Sequence, residues 1–135
     1  MHPAYFEVRF RHAGDDIVWP LSFSIITAYA MTGEHWSEEK NRSADMRLQR
    51  ELREMQMWMC RVSGYSPSSG HTEPGWAVEM PFEMACDTGR CYNQDAIYFI
   101  EGDQLFVSFC DERRKQIVVD GFRTRLDRPM GSDLE

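Results

Sequence analysis

An apolar run, Phe23-Ser-Ile-Ile-Thr-Ala-Tyr29, leads into Ser37-Glu-Glu-Lys-Asn41, and the side chains at this junction could hold a ligand. Thr27 and Tyr29 end a stretch that reads as a strand, and Asn41 falls in the opening turn of a helix. Two hydroxyls and an amide are therefore expected at one strand-to-helix corner. Such groups orient a bound molecule through hydrogen bonds, and they serve equally to satisfy backbone groups at a strand end and a helix start. They include no nucleophile with its base, so covalent catalysis is not indicated there. A further polar group stands far downstream, in Asn93-Gln-Asp-Ala-Ile-Tyr98.

Acid–base chemistry would need carboxylates in unequal environments. Glu79 and Glu83 lie four apart in a segment that reads as extended, which puts both on one face apart from the interruption at Pro81. Paired carboxylates divide acid and base work when their surroundings separate their pKa values. Glu79, near Trp76, is the better single candidate for a partly desolvated acid. Four residues separate Cys86 from Cys91, the upper edge of structural zinc spacing, but no second close pair follows. No cysteine adjoins a histidine or an expected helix start, so no activated thiol is indicated. His2, His12, His35 and His71 are scattered, and the glycines never assemble a phosphate loop followed by Lys and Ser or Thr. Neither a metal nor another cofactor is expected.

The elements that must position these groups can be read from periodicity. Phe6, Val8 and Phe10 alternate on one face of a strand over residues 5–10, bounded by Pro3 and by the turn-forming Gly14-Asp15-Asp16. The next strand covers 23–28; Pro20 marks its approach because proline cannot donate to a ladder. Ser37 is the expected N-cap of one principal amphipathic helix over about 37–57, with Glu38 and Glu39 at its positive end. Ala44, Leu48, Leu52, Met55 and Met59 form its apolar stripe. Arg47 with Glu51 and Arg50 with Glu54 support the opposite face, at about 0.3 kcal/mol a pair. Residues 58–62 favour an extended chain. Gly64, Pro67, Gly70, Pro74 and Gly75 make 63–75 read as a long loop. A strand over 76–84 is broken at Pro81, and 87–90 reads as a turn or one helical turn. Residues 96–100 and 105–109 make a hairpin, and 116–119 with 122–126 repeat that signal across Asp120-Gly121. The tail from Asp127 onward is expected to fray.

A chain of 135 residues is long enough to bury a core without staples and fits one domain, taken as 1–128 with a frayed tail over 129–135. The formal charge of −7 argues against nucleic acid, whose affinity depends on clustered Lys and Arg. Arg47, Arg50 and Arg53, and Arg113-Arg114-Lys115, are interleaved with or preceded by acids and read as solvated faces. No signal pattern opens the chain, and no apolar run nears the roughly 20 residues needed to cross a bilayer, so a cytoplasmic protein with no membrane partner is expected. Cys60, Cys86, Cys91 and Cys110 lie in or beside apolar segments, as free thiols do in a reducing compartment.

Several of these segments together resemble a family of bacterial proteins catalogued as domain of unknown function 3293. The resemblance rests on the Thr27-Ala28-Tyr29 step, Asn41, Glu79 with Phe82, and Gln94 two residues before Ala96. Family members continue the first step with Asn-Pro, where this chain has Ala30-Met31. The resemblance implies no activity. The expected architecture is α+β, a mostly antiparallel sheet with the principal helix packed on one face. The expected function is non-catalytic binding of a small polar molecule or a protein partner in a cleft near Thr27, Tyr29, Asn41, Glu79, Gln94 and Asp95. The alternatives are an enzyme using Glu79 as general acid or base, and an acidic interaction or inhibitor module. The oligomeric state is left open by the sequence, although the methionines at 55, 57 and 59 would suit a homodimer contact.

Overall fold

The computed structural model describes residues 1–14, 16–30 and 35–127. Strands β1 (Arg9–His12) and β2 (Ser22–Ile26) precede helix α1 (Glu38–Glu54), strands β3 (Met59–Tyr65) and β4 (Thr72–Val78), helix α2 (Phe82–Cys91), and strands β5 (Ala96–Glu101), β6 (Gln104–Phe109) and β7 (Ile117–Gly121). The seven strands form one sheet in the order β1-β3-β4-β2-β5-β6-β7, with each ladder antiparallel. The α+β architecture is as expected, with both helices on one face and α1 the larger.

Alternation along the strands sorts the core into two layers. Ile26, Trp76, Val78, Ile97 and Phe99 face the helices and pack against Leu48 and Leu52 of α1 and Ala85 and Cys86 of α2. Phe23, Ile25, Ala77 and Ile100 point to the opposite face, where they meet Phe10, Val62 and Phe122. Five residues after Gly121, Leu126 bridges to Phe10 on the far edge strand, and the Asp127 amide donates to the Phe10 carbonyl at 2.8 Å. Five residues reach at most about 18 Å, so the sheet must curl until β7 approaches β1. The second layer becomes the interior of the curl.

Ser37 caps α1 as its sequence position implies: its hydroxyl accepts from the Lys40 amide at 3.1 Å. The helix stops at Glu54 rather than near 57, with Met55 as C-cap and Gln56 at φ 57°. Met55 is exposed, and the buried place beside Leu48 and Leu52 belongs to Asp45.

Other expectations are corrected. Residues 3–6 form a 3-10 turn rather than the start of a strand, because Pro3 suits a helical first turn and the His2 ring accepts from the Ala4 amide. Phe6 is exposed as a result. Residues 63–75 are largely strand. Ser63 pairs with Pro74, Gly64 with Glu73 and Val62 with Gly75, leaving only a short connection between Tyr65 and Thr72. Pro74 is tolerated because its carbonyl, and therefore the position of its missing N–H, faces β2 just beyond the end of that ladder at Ile26–Trp76. Residues 82–91 are helical, so Pro81 opens a helix instead of interrupting a strand. Phe82, Ala85, Cys86 and Gly89 supply its apolar spacing. β7 pairs with β6, and residues 123–125 form a 3-10 turn rather than a second hairpin arm. Asp127 is held by Arg9, Arg11 and Tyr65 instead of fraying. Residues 129–135, Asp15 and Met31 lie outside the described residues.

Gly89 shows how tightly α2 sits on the sheet. A Cβ there would lie 2.7 Å from Cys110 Sγ and 2.8 Å from Ile97 Cγ2. Overpacking of about 1–3 kcal/mol should outweigh the helix-propensity gain of about 1 kcal/mol. Gly89→Ala is therefore expected to lower the urea midpoint by the equivalent of about 1 kcal/mol. A stabilised variant would show that α2 is free to shift.

Candidate functional site

The strand-to-helix corner assembles from three elements. Beyond the end of β2, Thr27 Oγ1 accepts from the Tyr29 amide at 3.1 Å and donates to the Pro74 carbonyl at 2.7 Å. From the first turn of α1, Asn41 Oδ1 accepts from the Ala30 amide at 2.8 Å. From the connection between α2 and β5, the buried Gln94 donates through Nε2 to the Tyr29 carbonyl at 2.7 Å and to the Tyr92 carbonyl at 3.1 Å. Thr27, Tyr29, Asn41 and Gln94 thus converge, and these side-chain bonds go to backbone. They clamp the chain between β2 and α1.

Two of the sequence-selected residues stand apart. The Asp95 carboxylate lies 3.8 Å from the Arg113 guanidinium, on the side of the β6–β7 connection. Glu79 is exposed, and its amide donates to the Trp58 carbonyl. Because Val78 pairs with Ser24 while Thr27 bonds Pro74, five residues of β4 separate Glu79 from the corner. At about 3.3 Å per residue that is roughly 16 Å. Glu83 lies on α2 and bonds Arg114 at 2.8 Å, so the two glutamates share no strand face.

Thr27 also lines a cleft of about 60 Å³ at the mouth of the curl, between β4, β5 and the 3-10 turn at residues 3–6. Glu73, Gly75 and Ala77 alternate on the inner side of β4, which aims Glu73 into this mouth. Gly64, directly across from Glu73, presents no side chain there; a Cβ would already sit 3.4 Å from Val8 Cγ2. The Glu73 side chain is 21% exposed, yet its Oε1 is shut off from solvent and accepts no hydrogen bond among the described residues. The nearest cation is the His71 ring, whose Nε2 stands 3.7 Å away. That suits an ion pair when the imidazole is charged and is too long for a hydrogen bond. Burial lifts the Glu73 carboxyl above the usual carboxylate range, and His71 pulls it part of the way back. Across the mouth Tyr98 donates to the Tyr5 carbonyl at 2.9 Å, and burial raises its phenol well above the ordinary value.

A buried carboxylate oxygen that makes no hydrogen bond costs free energy. Glu73 was hidden in the sequence by the Gly and Pro around it, which made its strand read as loop. The legible signal is the alternation of Glu73, Gly75 and Ala77 against Pro74, Trp76 and Val78.

On the helix face, Asp45 takes both arms of Arg61, Nη1 at 2.7 Å and Nη2 at 2.9 Å, and accepts from Trp76 Nε1 at 3.2 Å. The guanidinium lies over the Trp76 ring, 4.4 Å from its centroid. The group is fully paired and joins α1 to β3 and β4.

The four cysteines are free; Cys86 and Cys110 are buried, and Cys91 is exposed. The Cys86 thiol is held below its usual value by a hydrogen bond to Cys110 and by Arg114, while Cys110 is raised by the same contact and by burial. Among the described residues no three His, Cys, Asp or Glu side chains gather as a metal site. No helix among them is long and apolar enough to cross a membrane.

A model of the family described as "protein of unknown function (DUF3293)" matches residues 26–97, more than half of the chain and inclusive of Thr27, Asn41, Glu73 and Gln94. Comparison with curated proteins found no match, and comparison with solved structures found none.

Proposed function

The chain belongs to the DUF3293 family, and from that premise we propose that it is a non-catalytic binding protein for a small polar molecule held at the mouth of the curled sheet. The observation that carries the reading is the Glu73 carboxylate, which lines the cleft with its enclosed Oε1 making no hydrogen bond among the described residues and only the His71 ring beside it at 3.7 Å. Thr27 contributes to the wall, while Asn41, Gln94 and the backbone at Tyr29 fix the end of β2 that shapes it. Asp95 and Glu79 have no part in this cleft. An acid–base role for Glu79 finds no support in its exposed position away from the mouth. Nor, among the described residues, is a nucleophile or second carboxylate bonded to Glu73, and an orienting role accounts for its placement.

A thermal-shift screen of polar metabolites tests this. A ligand at a hundredfold excess over its Kd adds about 2.7 kcal/mol to stability. Genuine occupants should lose their shift in Glu73→Gln and keep it in Glu79→Gln. Hits that ignore Glu73 would overturn the reading, as would a screen in which nothing depends on it.

A further inference from the structure

We propose that the Glu73 cleft receives the ammonium head of a small alkylamine, a statement of ligand class that rests on the binding function proposed above. The hydrogen-bond inventory of the mouth decides it. Thr27, Tyr65, Ser66 and Tyr98 line the cleft, and each already gives its hydroxyl proton to a protein acceptor. Two carboxylates outside the cleft enforce this. Glu7 draws the Ser66 hydroxyl, and Asp127 draws that of Tyr65 at 2.5 Å. The remaining accepting capacity is at the Glu73 carboxylate, whose Oε1 makes no hydrogen bond among the described residues and has the His71 ring 3.7 Å away. An occupant that brings donors is therefore favoured, and a phosphate or carboxylate would face the Glu73 carboxylate.

The lining extends the argument from donor to cation. Tyr98 stands edge-on to Phe10 with centroids 5.3 Å apart and is tilted against Tyr5 at 6.2 Å, and all three rings line the cleft that Glu73 also lines. Aromatic faces attract an ammonium, and a desolvated carboxylate is compensated by a counter-charge more fully than by a neutral donor. The formal charge of −7 favours cation approach. The cleft volume of about 60 Å³ exceeds the roughly 10–15 Å³ that one water needs. That admits an ammonium and its first methylenes.

The test is an NMR titration of the full chain with three isosteric probes, n-butylammonium chloride, n-butanol and sodium butyrate, following the amides of Gly64, Glu73 and Gly75. Butylammonium is expected to saturate these shifts in the millimolar range, and Glu73→Gln, checked for fold by circular dichroism, should weaken it at least tenfold. Nα-acetyl-lysine amide as a fourth probe distinguishes sources: tighter binding than butylammonium indicates a lysine side chain, weaker binding a free amine, and either supports the head-group chemistry. Saturation by butanol or butyrate in preference to butylammonium overturns the proposal, as does an affinity indifferent to Glu73→Gln. If no probe saturates, the amine assignment fails. The binding reading then fails only if the metabolite screen also yields nothing dependent on Glu73.

Discussion

Glu73→Met is expected to stabilise the fold by about 1–3 kcal/mol at neutral pH while abolishing binding at the mouth of the sheet. The magnitude is that of relieving a buried acceptor that makes no hydrogen bond, after the 3.7 Å contact with His71 is given up. The methionine stem can occupy the same space among Val8, Thr27 and Tyr98 without an ion to desolvate. A gain in stability with a loss of binding is the pattern of a residue kept for function. The pH dependence fixes the cause. The folded carboxyl is raised above its unfolded value by burial, so its stabilising contribution is complete below the unfolded carboxylate pKa and is lost as pH rises through the folded one. The advantage of Glu73→Gln over the parent should therefore be absent near pH 4 and full at neutral pH.

Other carboxylates run the opposite way but cancel in that comparison. Burial tends to raise Asp127, but hydrogen bonds from Tyr65 and Arg9 hold it down; Asp111, bonded to Arg113, sits at about 2. The ionisable groups around Glu73 are His71, Tyr98 and, beyond the latter, Tyr5 and Arg125. Repeating the profile in His71→Gln isolates the carboxyl from the imidazole. Urea midpoints at several pH values measure all of this. A Glu73→Met variant less stable than the parent at neutral pH would mean that the His71 contact outweighs the desolvation of Oε1.

Asp45→Ala should have the opposite sign and a similar or larger size, a loss of about 2–4 kcal/mol. The carboxylate accepts three hydrogen bonds, two of them from one guanidinium. Its removal strands Arg61 and the Trp76 N–H beneath α1, where each unpaired group carries its desolvation penalty. Arg61 remains about one third exposed, which keeps the estimate below that for a wholly enclosed pair. Replacing both partners, as Asp45→Leu with Arg61→Met, should recover much of the loss, because an apolar pair leaves no orphaned charge. Equilibrium urea unfolding of the two single variants and the double variant gives the coupling directly. Additive losses would show that the pair is incidental.

Some features of this protein are local enough to be settled by the sequence. Ser37 caps α1 because a hydroxyl next to Glu38-Glu39 satisfies an orphan amide wherever the helix lies. The turn between β5 and β6 forms at Gly102, at φ 64°, because glycine adopts that geometry cheaply. The meeting of Thr27, Asn41 and Gln94 was partly legible in residue type, since amides and hydroxyls near chain corners tend to bond backbone.

Other features depended on groups distant in sequence. Gly64, Pro74 and Gly75 are loop formers by propensity, yet they lie in strands because β3 and β4 pair with each other and Pro74 falls where the β2 ladder has ended. That placement puts Glu73 on the inner face of the sheet. Asp45 sat in plain view on the helical stripe, but Arg61 and Trp76, sixteen and thirty-one positions away, make its burial tolerable. Local rules thus determined which segments are helix or strand where propensity and burial agree. Curling the sheet decided which carboxylate is enclosed, because desolvation is a property of everything packed around a group and not of its neighbours in the chain.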